Sequence, residues 1–251
     1  MPRVHLFIPC VVDQFLPPIG VASRDCLSAA SCEVVYDPAQ TCCGQMFWNS
    51  GYPEHARDLA RRFVRRFASA DLVVGPSFSC VEMVRQEYAD LLDDPGLRRE
   101  WEALRARVFE LCEFLTKMLG IRSWPGRFRA RAVLHESCHM PRDPGLRDRV
   151  RNLLSSLEGL ELLDPPMPEC CGFGGVFFAR WREVSAAIGR RRIAQLTRDA
   201  PEVLLLSEPG CILQLKTVAP PRVRVLHVAE VLAAALRAED YPMDQGPPVE
   251  A

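Results

Sequence analysis

The chain has 251 residues with 31 basic and 32 acidic side chains, a formal charge of −1. That length holds one large domain or two of roughly 100–150 residues, each able to bury a core, and the charge balance excludes a global field that would recruit nucleic acid or an anionic membrane. No apolar run approaches the roughly 18 residues of a membrane span, and the run within residues 1–10 is too short for a secretory signal core, so a soluble, cytoplasmic protein without a transmembrane segment is expected.

Residues 4–9 read as a buried parallel strand, with Cys10 just past its end. A helix over 19–30 and a strand over 33–36 follow, then a loop holding Cys42, Cys43 and Gly44. From 55 to 68, Leu59, Phe63, Val64 and Phe67 recur at helical spacing, while Arg57, Arg61, Arg62, Arg65 and Arg66 occupy the rest of the turn. With the overall charge balanced, these arginines read as a solvated face rather than a binding patch. A strand over 71–75 leads to Cys80, and residues 82–124 read as mostly helical, with Trp101, Leu104, Val108, Leu111, Leu115 and Leu119 as one stripe.

The second half repeats the order: strand 131–135 before Cys138, helix 146–157, strand 160–163, a loop holding Cys170, Cys171, Gly172, Gly174 and Gly175, helix 181–197, and strand 203–207 before Cys211. A strand over 223–227 and a helix over 228–237 close the pattern. The tail 239–251, with Pro242, Pro247 and Pro248 and little apolar content, is expected to be disordered.

The repeat is sharpest at the cysteines. Cys10 precedes Cys42 by 32 positions and Cys138 precedes Cys170 by 32, and a Cys-Cys-Gly triplet occurs once in each half. The fold class expected is α/β: two duplicated cysteine-rich domains, 1–124 and 125–238, with parallel sheets and helical crossovers, related by a pseudo-twofold. Each repeated cysteine then falls at the carboxyl end of a strand, where such sheets gather ligands. Cys26, Cys32 and Cys112 have no counterpart in the other half and read as buried structural residues.

Eleven cysteines, an odd number, in a reducing compartment point to metal chemistry rather than a disulfide framework. Cys10, Cys42, Cys43 and Cys80 in one half, and Cys138, Cys170, Cys171 and Cys211 in the other, can complete a [4Fe-4S] cluster, one sulfur per iron, or a tetrahedral zinc. Adjacent cysteines suit a cluster several ångströms across better than a single zinc, whose sites use Cys-x2-4-Cys spacing. Gly44 and Gly172 allow a tight turn after the paired cysteines, and Gly174 and Gly175 can bring backbone N–H groups toward cluster sulfurs, or the loop is an ordinary glycine-rich turn. It lacks the third glycine of a dinucleotide fingerprint, so no nucleotide cofactor is expected. His135 and His139 flank Cys138; His139, more than His135, is a candidate ligand, proton relay or hydrogen-bond donor to a cluster sulfur, or equally a hydrogen-bonded structural residue.

The segments Cys10-Val11-Val12-Asp13, Gln40-Thr41-Cys42-Cys43-Gly44-Gln45, Asn49-Ser50-Gly51-Tyr52, Ser137-Cys138-His139 and Cys170-Cys171-Gly172-Phe173-Gly174-Gly175 resemble the lactate-utilisation A group. That group is one branch of the cysteine-rich-domain iron–sulfur-binding family, which also includes the heterodisulfide reductase B subunit and the glycolate oxidase iron–sulfur subunit. The resemblance spans about residues 3–237. It implies an iron–sulfur electron-transfer subunit of a complex oxidising L-lactate to pyruvate, with a ferredoxin-like iron–sulfur subunit and a third lactate-utilisation protein as partners. It also implies one or two clusters. The heterodisulfide reductase relative carries a fifth cysteine three residues after the fourth and holds noncubane clusters; Met83 and Gln214 stand there in this chain, so an ordinary four-cysteine cluster is the expectation. The alternatives are a subunit serving glycolate or a heterodisulfide, a structural zinc-thiolate protein whose role is assembly, and metal-free thiol–disulfide exchange.

Overall fold

The computed structural model describes residues 1–140 and 145–237; the tail expected to be disordered lies outside them. The chain divides into two compact units, Met1–Gly120 and Ile121–Ala251, and each is built on its own four-stranded sheet.

In the first unit β1 (Arg3–Leu6), β2 (Glu33–Tyr36), β3 (Leu72–Gly75) and β4 (Val108–Glu110) lie in the order β2-β1-β3-β4, every neighbour parallel. The inner strands bury Val4, Leu6, Val73 and Val74, whereas β2 at the edge exposes Glu33 and Tyr36, as expected where helices cover both faces of a sheet but not its rim. Parallel neighbours need crossovers, supplied by the helices Pro17–Ala29, Pro53–Phe67 and Pro95–Arg105. Each opens with proline in its first turn, where the missing N–H costs nothing. The helix Pro53–Phe67 buries Ala56, Ala60, Phe63, Val64 and Phe67. On its outer face Arg61 reaches Asp93 at 2.9 Å and Arg66 pairs with Asp37, so these arginines are occupied by surface ion pairs.

The second unit repeats this plan. β5 (Arg127–Leu134), β6 (Glu158–Leu163), β7 (Val203–Leu206) and β8 (Arg224–His227) run in the order β6-β5-β7-β8, again wholly parallel. All four residues of β7 are buried. The helices Leu146–Ser155, Arg182–Leu196 and Pro209–Lys216 cross over, and the helix Val228–Arg237 buries Val228 through to Ala235.

The segment expected to be mostly helical over 82–124 contains β4, which pairs with β3. Val108 belongs to the apolar stripe and to this strand at once, and three residues are too few to interrupt a helical periodicity visibly. Sheet pairing, a long-range contact, decided the local conformation.

Glu110 ends β4 fully buried. Its carboxylate accepts the Glu113 N–H at 3.0 Å in a capping box, but burial pushes its pKa from 4.5 up to about 8. The folded state therefore holds a proton that the unfolded chain releases, so this group makes stability fall as pH rises from about 4.5 toward 8, by up to about 1.4 kcal/mol per pH unit. Glu110→Gln is expected to flatten that dependence, raising the thermal midpoint at pH 8 more than at pH 5; equal shifts at both pH values would contradict a buried neutral carboxyl.

Candidate metal centre

A parallel sheet in which the first strand sits between the second and the third has its crossovers diverging on either side of the first and third strands, which opens a crevice at their carboxyl ends. The cysteines of the first unit line that crevice. Cys10 opens the helix Cys10–Phe15 after β1, Cys42 and Cys43 follow β2 just before the helix Gln45–Asn49, and Cys80 lies in the first turn of the helix Phe78–Glu82 after β3. In the second unit Cys138 lies in the turn after β5, Cys170 and Cys171 in the loop after β6, and Cys211 in the first turn of the helix Pro209–Lys216 after β7.

The four sulfurs of the first unit form a row. The Cys10 thiol donates to Cys42 Sγ at 3.4 Å, Cys42 interacts with Cys43, and Cys43 with Cys80. In the second unit the Cys171 and Cys211 sulfurs are 3.0 Å apart, Cys170 interacts with Cys171, and Cys138, exposed, acts electrostatically on Cys211. All eleven cysteines are free thiols, and Cys26, Cys32 and Cys112 are buried away from the two rows.

The two Cys-Cys-Gly turns match in detail. Gly44 has φ 92° and Gly172 φ 90°, the left-handed region that glycine enters without strain. The Gly44 N–H donates to Cys42 Sγ at 3.3 Å and the Gly172 N–H to Cys170 Sγ at 3.3 Å. A Cβ would stand 3.2 Å from the Ala56 carbonyl oxygen at Gly44 and 2.7 Å from the Ser185 carbonyl oxygen at Gly172. The glycines thus let each turn rest against its crossover helix and aim an amide at sulfur, a contact that tunes a thiolate-bound metal. Gly174 and Gly175 also have positive φ, and their carbonyls accept the Phe177 and Phe178 N–H groups as the helix Val176–Arg180 begins.

Hydrogen bonds from the Cys10 and then the Cys43 thiol hold Cys42 down at about pKa 3, whereas the bond to Cys42, followed by burial, pushes Cys10 up. Cys43 and Cys170 are also raised, each first by its bond to a neighbouring cysteine. Of the four, Cys42 is the one whose surroundings favour the thiolate, and the others would have to lose protons to hold a metal.

The surroundings of the two rows differ. Among the described residues one set of ligand atoms lies within 4.8 Å of one another: a ring nitrogen of His135 and the sulfurs of Cys171 and Cys211, all buried. His135 Nδ1 accepts from Arg192 Nε at 3.1 Å, and burial, then the Arg192 charge, lower its pKa to about 3. The imidazole is neutral, with Nδ1 occupied, so its proton sits on Nε2. His139 is half-buried and neighbours Cys170, whose pKa is raised first by its bond to Cys171 and then by burial. Arg192 escaped the sequence reading, although an arginine on the apolar face of a crossover helix, where the other half has phenylalanine, is a visible signal.

Two duplicated α/β units with cysteines converging at the strand ends define a cysteine-rich, metal-competent protein. The sequence model of the CCG cysteine-rich domain family matches residues 4–85 and again 132–216, and the chain belongs to that family. Its relatives include Lactate utilization protein A of Geobacillus kaustophilus, 36% identical over 92% of this chain and 99% of the relative. The Exiguobacterium protein of the same name is 36% identical over 92% and 97%, and Lactate utilization protein A 2 of Bacillus cereus is 34% identical over 93% and 99%. A hypothetical protein from Helicobacter pylori shares the fold at TM-score 0.60 and 10% identity, over 95% of this chain and 49% of that one. Among the described residues no helix is long and apolar enough to cross a membrane.

At Gly51, φ is also positive but nothing lies within 4 Å of a built Cβ. Gly51→Ala therefore meets only backbone strain, about 1–2 kcal/mol. Gly172→Ala adds a clash with the Ser185 carbonyl, so its loss of stability in thermal unfolding is expected to be the larger; equal losses would contradict close packing of the turn.

Proposed function

We propose that this protein is an iron–sulfur electron-transfer subunit of a cytoplasmic system oxidising L-lactate to pyruvate, each unit offering its four repeated cysteines to a [4Fe-4S] cluster. The observation that carries this reading is the doubled arrangement of thiols around a buried, amide-lined turn at the sheet's switch point. The first unit's row of sulfurs, joined pairwise from Cys10 through Cys42 and Cys43 to Cys80, suits a group several ångströms across better than a single ion.

When bound, such a cluster supplies one-electron storage. The chain's residues do the rest. Cys10, Cys42, Cys43 and Cys80, and Cys138, Cys170, Cys171 and Cys211, would hold the two clusters. The N–H groups of Gly44 and Gly172 donate to one sulfur in each set and would steady it as a cluster ligand, and burial of Cys43, Cys171 and Cys211 keeps water from those sulfurs. His139 adds a polar group beside Cys138 and Cys170. Removing hydride from lactate needs a flavin or comparable centre, so the chain serves as one member of an assembly. A ferredoxin-like iron–sulfur subunit and a third lactate-utilisation protein are the partners, and the relatives' names and near full-length match favour lactate over other substrates.

Cys171→Ser is expected to lose about half of the bound iron, one cluster of two, because Cys171 is a buried member of the second set. Cys112→Ser, whose thiol sits by Glu110 away from either row, should retain all of it. Iron analysis of both variants after anaerobic purification decides; equal loss in the two would contradict this division of the cysteines.

A further inference from the structure

The crossover helices Pro53–Phe67 and Arg182–Leu196 bury the same pattern of positions: Ala56, Ala60, Phe63, Val64 and Phe67 in one, and Ser185, Gly189, Arg192, Ile193 and Leu196 in the other. The residue following the last paired position of the central strand also corresponds. The Phe7 N–H donates to the Val74 carbonyl at 2.8 Å and the His135 N–H to the Leu205 carbonyl at 2.8 Å. In the first unit these two positions form an aromatic pair, Phe7 and Phe63, with ring centroids 5.0 Å apart. In the second they form the buried pair of His135 and Arg192. Three residues after the fourth cysteine the same exchange recurs: Met83 is buried in the first unit, and Gln214, donating to the Ser185 carbonyl at 2.7 Å, in the second. At these three matched positions the first unit is apolar, with the Tyr88 hydroxyl on the Cys43 carbonyl as a neighbouring polar group, and the second is polar and carries the Arg192 cation, with the Glu208 carboxylate also acting on Cys211.

The polar floor has unused capacity. Arg192 gives Nε to His135 and Nη1 to the Met167 carbonyl at 2.8 Å and to Gln195, while Nη2 is buried without a partner, as is His135 Nε2. Two orphaned buried donors are costly; their side chains neighbour the thiols, a ring nitrogen of His135 lying within 4.8 Å of the Cys171 and Cys211 sulfurs and the Arg192 charge acting on both. An anionic, sulfur-rich group held there would give both a partner. Hydrogen bonds to sulfur, and a positive charge felt through a low-dielectric interior, stabilise the more negative, reduced form of a cluster.

Resting on the function proposed above, we propose that the two metal sites differ electrochemically. His135 and Arg192 act as a hydrogen-bonding cationic floor that sets the second unit's site at the higher reduction potential. His135 is a positioning donor through Nε2–H and not a ligand, because Arg192 occupies Nδ1 and leaves the ring proton on the nitrogen that would otherwise coordinate.

The test is a redox titration of the anaerobic full chain followed by electron paramagnetic resonance, with iron and sulfide measured in every sample. The wild type should titrate in two steps. His135→Phe, which installs the first unit's residue, should move the upper step to lower potential by at least about 59 mV, a tenfold change in a one-electron equilibrium, and leave the lower step in place. His135→Gln, which keeps an N–H donor, should restore part of the shift. Arg192→Gln, which removes the charge, should move the same step in the same direction, and gives a second reading if the phenylalanine variant folds poorly. Coincident steps in the wild type would overturn the proposal. So would full iron content with no shift in the variants, or strong nitrogen hyperfine coupling showing His135 to be a ligand; in each of these cases the function proposed above stands. A chain purified without iron and sulfide would overturn both.

Discussion

A four-stranded parallel sheet in the order 2-1-3-4 has one place where chain leaving three strands can converge without obstruction, and both units depend on that constraint. Each strand ends in a short connection: a helix opening at Cys10 after β1, a left-handed glycine turn after β2, a helix with Cys80 in its first turn after β3. Neither helix nor turn alone collects thiols. The crevice does, and the turn holds because Gly44 and Gly172 allow the chain to press against a crossover helix that a Cβ would push away. Strand order, crossover packing and sulfur placement are therefore linked.

The duplication preserved the thiols and their amide donors but not their setting. At three matched buried positions the first unit has Phe7, Phe63 and Met83 and the second has His135, Arg192 and Gln214. A buried arginine bonded to a buried histidine is an expensive arrangement for stability alone, since packed apolar residues at the same positions serve the first unit well. That expense is intelligible if the second site holds negative charge. Identical ligand sets on one fold can then hold clusters of different potential, with the difference residing in residues that touch sulfur rather than metal.

The α/β class with parallel sheets was legible because strand and helix periodicities alternate, and the duplication because cysteine spacing at 10 and 42 recurs at 138 and 170. Strand β4 was not legible: Val108 fits the helical stripe that precedes it, and pairing with β3 is invisible to local periodicity. The freedom of the turn glycines is legible in the sequence, but that the amides of Gly44 and Gly172 reach sulfur, along with those of Val11 and Phe173, is not, since which N–H points at a thiol depends on the dihedrals of the turn. Proximity to Cys138 alone puts His139 ahead of His135. Its weight comes from Arg192, 57 positions away in the chain, a contact made only when the crossover helix packs on the sheet.

The central claim, that the repeated thiols of both units hold iron and sulfide, is tested most directly by metal and sulfide stoichiometry on anaerobically purified protein with its visible spectrum. The account predicts a brown protein with about eight irons and eight sulfides per chain, four of each for every site. A colourless protein carrying stoichiometric zinc and no sulfide would contradict it.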